Sequence, residues 1–331
     1  MRGPEVLARS VVGLVLAAAV AVPLFLVWRT PMVHARMAES GGWLPDALTA
    51  RVGVPLHLRL TSDDVLHGFA VGKLDAPSVD VIPGKVTDVT LLFQVPGTYT
   101  FYCTRWCGVN HWRMRGTIEV AGEPSTATAA ALPGQPLYAA LGIDLDAPRD
   151  AAVVLAQKPL ASLSKDQIRR EFAQYATTDY YRTHAPTEVW QTLRGDPALP
   201  PMDETKAWEV TASIWRSNTT AQELADGERL FAQNCAACHG SRGAGDGVFA
   251  AELAAAPGSA SEGTLAAAPM TQAPANLADP ARMLAASPAL LQGKILRGGM
   301  GTGMPSWGPI LTEDQTWSIV AYLYTFQFEY H

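Results

Sequence analysis

Four cysteines fall in this 331-residue chain as two tight pairs, Cys103/Cys107 and Cys235/Cys238, each with a histidine close by. Disulfide-stapled domains are usually smaller and scatter their cysteines more widely. Two close pairs beside histidines point instead to two cofactor sites, with a separate domain folded around each. The length allows two or three domains. A hydrophobic fraction of 48% is too low for a multispanning membrane protein, and a net charge of −6 argues against general nucleic-acid binding. The acidic excess is concentrated in residues 220–331.

Val11 to Trp28 is an uncharged apolar run. Its length sits near the low end of the roughly 17–25 residues needed to cross a bilayer. Pro23 is tolerable in a membrane helix. Arg2 and Arg9 precede the run and Arg29 follows it, which places the N-terminus in the cytoplasm by the positive-inside rule. A cleaved secretory leader is the competing reading, although no small-x-small cleavage site follows the run. Residues 1–31 are therefore expected to be a single membrane anchor, with the rest of the chain outside the cytoplasm.

Residues 32–120 read as β. Leu56, Leu58 and Leu60 alternate with His57 and Arg59, the period of a half-buried strand. Residues 86–95 and 98–102 are β-rich runs divided by the turn signal Pro96-Gly97, and 116–120 gives a last strand. Short strands punctuated in this way predict a sandwich or barrel. The first cysteine pair lies where these strands end, in Cys103-Thr-Arg-Trp-Cys107-Gly-Val-Asn-His111-Trp-Arg-Met114, with His67 far upstream. Thiolates, imidazoles and a thioether are soft or borderline donors, and such a set favours copper. A mononuclear blue-copper site needs only one cysteine. A second cysteine four residues on lets both sulfurs bridge two copper ions, with one histidine on each metal. A bridged pair shares one electron over both metals and changes geometry little, which suits electron transfer better than bond-making. A plain disulfide in an exported domain and a Cys₂His₂ zinc site are the competing readings.

This stretch resembles the CuA cupredoxin domain of subunit II of heme-copper oxidases. The motifs that carry the resemblance are Asp64-Val-Leu-His67-Gly-Phe69, Asp80-Val-Ile-Pro83-Gly84 and the Cys103–Met114 loop. The resemblance implies an all-β Greek-key sandwich or barrel. It also implies a dinuclear copper ligand set of His67, Cys103, Cys107, His111 and Met114, with the backbone carbonyl of Arg105 as the remaining contact. Many oxidases carry a glutamate at the position of Arg105, where its side chain helps to bind magnesium. Only one apolar span precedes the domain, whereas many subunits II have two. These are the marks of a divergent member. Arg105, Arg113 and Arg115 also crowd the copper loop and suggest a basic rim.

Residues 121–219 open with a linker-like Gly/Pro/Ser/Thr/Ala tract. A helix is expected over 165–175 with Ser164 as N-cap. Pro186, Pro197, Pro200 and Pro201 interrupt the remainder of the segment, and Trp190, Trp208 and Trp215 imply packing against something. His184 stands alone, and no ligand constellation or function is assigned to this segment.

Residues 220–331 open with a capping box, Thr220-Ala-Gln-Glu223, on a helix that runs into Cys235-Ala-Ala-Cys238-His239. CxxCH attaches c-type heme through two thioethers, with the histidine on the iron. A redox CxxC motif is the competing reading. A Gly-rich loop comes next over 240–247, then Met304-Pro305 within a second Gly-rich stretch, then a helix over 312–326 opened by Thr312 and Gln315. The whole resembles class I cytochrome c, an all-α fold. The resemblance implies one covalent heme c held by Cys235 and Cys238, with His239 and Met304 on the iron and Met300 as the competing ligand. Met/His ligation raises the heme potential and closes the iron to substrates.

The expected protein is a multidomain electron-transfer subunit. It is anchored by one N-terminal transmembrane helix in a bacterial cytoplasmic membrane, with both redox domains on the periplasmic side. Its expected partners are a membrane catalytic subunit and a donor such as a cytochrome c or a quinol-oxidising complex. A cytochrome c oxidase is the leading reading, a CuA-containing nitric oxide reductase the rival, and copper storage or delivery a third. No catalytic acid, base or nucleophile constellation is evident.

Overall fold

The computed structural model describes residues 30–330 other than 75, 109, 125–134, 149–154, 156, 256–272 and 300–302, together with Val12. The expected membrane anchor, Val12 apart, and the competing ligand Met300 lie outside the described residues. Among those that are described, no helix is long and apolar enough to cross a membrane. The chain forms two compact units, one ending at residue 130 and the other starting at residue 131.

The first unit is a β-sandwich. One sheet has the order β2-β1-β4-β7 and the other β3-β9-β8-β5-β6. The strands are β1 (Met32–Ala35), β2 (Trp43–Leu44), β3 (Ala47–Arg51), β4 (Leu56–Ser62), β5 (His67–Val71), β6 (Val79–Val81), β7 (Thr87–Leu91), β8 (Gly97–Tyr102) and β9 (Arg115–Ala121). Pairing is antiparallel except between β1 and β4 and between β3 and β9. Along β4, Leu58, Leu60 and Ser62 turn inward while His57 and Arg59 turn outward, following the alternation in the sequence. Gly116, Ile118 and Val120 do the same on β9. The core between the sheets joins Val33, Leu58, Leu60 and Phe93 to Phe69, Phe101 and Ile118. Trp43 packs edge-on to Phe69 and Phe101, at 5.6 and 5.8 Å between centroids. Gly116 sits opposite Phe101 in register, and a Cβ there would strike the Phe101 ring, so only glycine fits.

The second unit is helical. Helix Ala221–Asn234 crosses the closing helix Glu313–Leu323, and Gly227 meets the backbone of Ser318 at the crossing. Both helices open with the expected capping boxes, at Thr220/Glu223 and Thr312/Gln315. The closing helix ends at Leu323 and is followed by a 3₁₀ turn over Tyr324–Phe326. The helix expected over 165–175 is likewise α only over Lys165–Glu171, with a 3₁₀ turn over Ala173–Tyr175.

Packing runs without a break across residue 220. Trp215 is fully buried against Tyr181, Tyr324 and Phe328. Leu160 bridges to Glu329, and Thr187 donates to the Leu284 carbonyl. The described residues of 137–219 thus pack on the C-terminal helices of the same unit, at Leu284, Tyr324, Phe328 and Glu329.

Candidate metal centres

The first candidate site sits at one end of the sandwich. His67 begins β5, Cys103 follows β8, and Met114 precedes β9. Between the last two, the chain turns at Asn110, whose φ of +59° asparagine tolerates, into the one-turn helix His111–Arg113. All five side chains are buried: His67 is 0% exposed and the rest 8% or less.

Cys103 Sγ lies 3.9 Å from Cys107 Sγ, 3.7 Å from His67 Nδ1 and 3.2 Å from the Arg105 carbonyl oxygen. Cys107 Sγ lies 3.5 Å from His111 Nδ1 and 3.2 Å from Met114 Sδ. Both cysteines are free thiols, so the disulfide reading does not describe this structure. A gap of 3.9 Å is within the reach of two sulfurs bound to one metal, given metal–sulfur bonds of about 2.3 Å. The donors divide into one histidine per cysteine, with a thioether on one side and a carbonyl on the other. That set of soft and borderline donors fits copper.

The electrostatics agree. Contact with Cys107 first, then with His111 and His67, holds the Cys103 thiol far below its ordinary value despite burial. Contact with Cys103, together with burial, pushes Cys107 far up. Two adjacent buried thiolates repel, and a cationic occupant removes that cost. Burial pulls His67 down, but its contacts with Cys103 and Asp64 outweigh burial and raise it.

The frame around the site includes residues that the sequence does not single out as functional. Trp43 Nε1 and the Cys103 amide both donate to the Met114 carbonyl, each at 3.1 Å. Asp64 accepts from His67 Nε2 and from the amides of Met37 and Val65. Gly68 leaves room for the Thr104 side chain, since a Cβ there would strike its hydroxyl oxygen. Trp106 packs on His111 at 4.6 Å between ring centroids. The expected basic rim is thinner than the sequence suggests. Arg105 Nε and Nη2 are bound to the two oxygens of Asp80 at 2.9 and 3.2 Å, and Arg115 is half-buried, leaving Arg113 exposed.

In the second unit, Cys235 ends helix Ala221–Asn234, and Cys238 and His239 occupy the next turn, Ala236–His239. All three are half-buried. Burial raises both thiols, Cys235 to about 12, so each stays protonated at neutral pH. Gly240 turns the chain at φ +77°, and the amides of Gly245 and Gly247 donate back to the carbonyls of His239 and Cys238. His239 Nδ1 lies 3.0 Å from the Ala275 carbonyl, an acceptor only. The ring therefore donates from Nδ1 and keeps its Nε2 lone pair, the tautomer an iron ligand requires. Burial lowers its pKa, the Ala275 bond opposing, which favours that neutral form. Met304 stands on a separate loop, its carbonyl accepting from the Gly299 amide at 3.1 Å. A CxxCH turn with a pre-oriented neutral imidazole fits a covalent heme.

Residues 34–121 match the family of the cytochrome c oxidase subunit II periplasmic domain, and residues 222–323 match cytochrome c oxidase, cbb3-type, subunit III. Cytochrome c oxidase subunit 2 of Thermus thermophilus is 37% identical over 84 residues, 25% of this chain and 62% of that protein. The same subunit of Apis mellifera ligustica is 38% identical over 66 residues, 20% of this chain and 29% of that protein. The chain therefore covers less than two thirds of these relatives' length. The solved periplasmic domain of subunit II of cytochrome oxidase from Bradyrhizobium japonicum is 25% identical, with a TM-score of 0.22, over 23% of this chain and 54% of that one. This chain joins a domain of the cytochrome c oxidase subunit II periplasmic family to a cytochrome c domain of the cbb3-type subunit III family.

Proposed function

We propose that this chain is the subunit through which electrons enter a membrane-bound heme-copper oxidase. The observation that carries the reading is the buried cluster of His67, Cys103, Cys107, His111 and Met114. When bound there and at the CxxCH turn, a thiolate-bridged copper pair and a covalent heme would each take up and release one electron.

The chain's own residues do the rest. His67, Cys103, Cys107, His111, Met114 and the Arg105 carbonyl would hold the copper pair. Cys235 and Cys238 would bind the heme covalently, with His239 and Met304 on the iron. The copper ligands hang from strand ends and one short turn, tied together by the Met114 carbonyl and the Asp64 carboxylate. A frame held in this way would change little between two oxidation states, and the burial of the ligands would keep water from a bound metal.

In this reading the N-terminal run anchors the chain in a bacterial cytoplasmic membrane, with both units on the outer side. The catalytic partner is a membrane subunit that reduces oxygen, and the donor is a c-type cytochrome or a quinol-oxidising complex. A second reading, a nitric oxide reductase, is favoured by the Arg105–Asp80 pair, which sets a guanidinium where many oxidases carry glutamate. Copper storage or delivery is disfavoured by the burial of every ligand.

The test is turnover of the native complex, purified through this chain, with oxygen and with nitric oxide as acceptors. Rapid oxygen consumption is expected. Nitric oxide turnover with negligible oxygen use would move the chain to the reductase reading, and copper release without turnover on either would end both.

A further inference from the structure

Residues 137–148 lie outside both matched regions, yet they pack on the helix that leads to Met304. The helix Leu137–Ala140 and the turn after it rest on helix Pro288–Arg297. Gly293 marks the closest approach: a Cβ there would lie 2.7 Å from Tyr138 Cγ and 2.8 Å from Leu145 Cδ2. Leu145 is buried. One helical turn further on, Arg297 Nη1 and Nη2 donate to the two carboxylate oxygens of Asp146 at 2.7 and 2.6 Å. The segment therefore grips this helix twice, through an apolar contact and through a bidentate ion pair.

Arg297 is the last residue of its helix, and the methionine loop begins immediately after it. Both stems of that loop are tied to this last turn. The Trp307 and Gly308 amides donate to the carbonyls of Ile295 and Leu296 at 3.1 and 3.0 Å. Ser306 Oγ also donates to Leu296 O at 2.8 Å, and the Gly299 amide closes the loop on Met304 O at 3.1 Å. Gly298, at φ +75°, lies so close to Pro305 that a Cβ would come within 2.6 Å of its carbonyl carbon. Where this helical turn goes, Met304 goes with it.

We propose that Asp146 is a positioning residue for Met304, acting through Arg297 to hold the loop so that the thioether stays on the heme iron. This rests on the reading of Met304 as an iron ligand. An exposed ion pair ordinarily adds little to global stability. Asp146 is 69% exposed, but Arg297 is only 24% exposed, and a bidentate guanidinium–carboxylate pair fixes orientation as well as distance. The loss of the pair is therefore felt in the loop more than in the fold.

The test uses the full heme-loaded chain and the variants D146N, D146E, R297K and M304A. The readout is the weak long-wavelength absorption of sulfur-ligated ferric heme, followed as pH rises and stronger-field ligands displace the methionine. In D146N the midpoint of that loss is expected to fall by about one pH unit, a tenfold weaker hold on the iron. R297K, which keeps the charge but not the bidentate fork, falls part of the way. D146E recovers most of the wild-type value, and the melting temperature of all three stays close to wild type. A D146N midpoint equal to wild type overturns the proposal. So does a midpoint that follows only the melting temperature, because Asp146 is then merely structural. If M304A retains the absorption of the native chain, Met304 is not the ligand, and the proposal falls with that reading.

Discussion

The imidazole of His67 is held from both sides: Nε2 lies 2.7 Å from Asp64 Oδ1, and Nδ1 faces Cys103 Sγ at 3.7 Å. A carboxylate only accepts, so Nε2 carries the proton and Nδ1 presents its lone pair towards the cluster. Asp64 is itself anchored by the Met37 and Val65 amides, which, with His67, keep its pKa low against the opposing effect of burial. Asp64 therefore selects the tautomer that binds metal. D64A is expected to weaken copper retention by about 10–100-fold. Competition of the copper-loaded chain against a graded series of chelators measures this, and equal retention by D64A and wild type would remove Asp64 from the site.

Arg105 and Asp80 form a bidentate pair between the copper loop and β6. With side chains 54% and 44% exposed, the pair itself adds little to stability. R105E would turn it into two facing carboxylates, a like-charge contact beside the cysteine pair. The variant is expected to melt lower than wild type and to regain most of the difference when millimolar magnesium is added, while wild type does not respond. Differential scanning calorimetry with and without the ion decides it. A variant indifferent to magnesium would show that the carboxylates swing apart into solvent.

Two glycines make a matched pair of opposite sign. A Cβ at Gly227 would collide with the backbone carbonyl of Ser318 where helices Ala221–Asn234 and Glu313–Leu323 cross, and neither helix can yield without parting from the other. G227A is expected to cost about 1–3 kcal/mol. At Gly195, the last residue of helix Pro186–Gly195, a Cβ would meet nothing within 4 Å. G195A is expected to be neutral or to stabilise by up to about 1 kcal/mol, by restricting the unfolded chain. Urea unfolding of both variants checks the contrast; equal losses would place the helix crossing elsewhere.

The features legible in the sequence were local. The outward His57 and Arg59 on β4 follow from a period of two, and the openings of three helices follow from side-chain caps at Ser164, Thr220 and Thr312. The copper cluster was legible because four of its side-chain donors fall within twelve residues, leaving only His67 to be brought in by the sheet. Trp43 was not, because it lies in a two-residue strand with no pattern of its own, and its bond to Met114 spans 71 residues. The packing of the described residues of 137–219 on the helices that follow them in the same unit was hidden for the same reason. Trp215 against Tyr324, Thr187 against Leu284 and Asp146 against Arg297 are long-range contacts that no local periodicity encodes. The closing helix was read three residues too long because its apolar face continues into the 3₁₀ turn, where Phe326 still packs on Phe231.

Asp63 ties β1 to the end of β4, accepting from His34 Nδ1 at 2.8 Å and Arg36 Nε at 2.7 Å. These bonds, His34 first, hold its pKa below the ordinary 3.8. A carboxylate whose folded pKa is depressed binds its proton more readily when unfolded, so stability rises with pH across the interval between the two values. The contribution of Asp63 is therefore fully present above the unfolded value of 3.8 and lost as pH falls through the lower folded value. D63N removes it at all pH values. The urea midpoints of wild type and D63N should differ at neutral pH and converge as pH drops below about 4, through protonation of the wild-type carboxylate. A constant gap between the two curves from neutral pH down to the acid limit would mean that Asp63 acts through its shape and not through its charge.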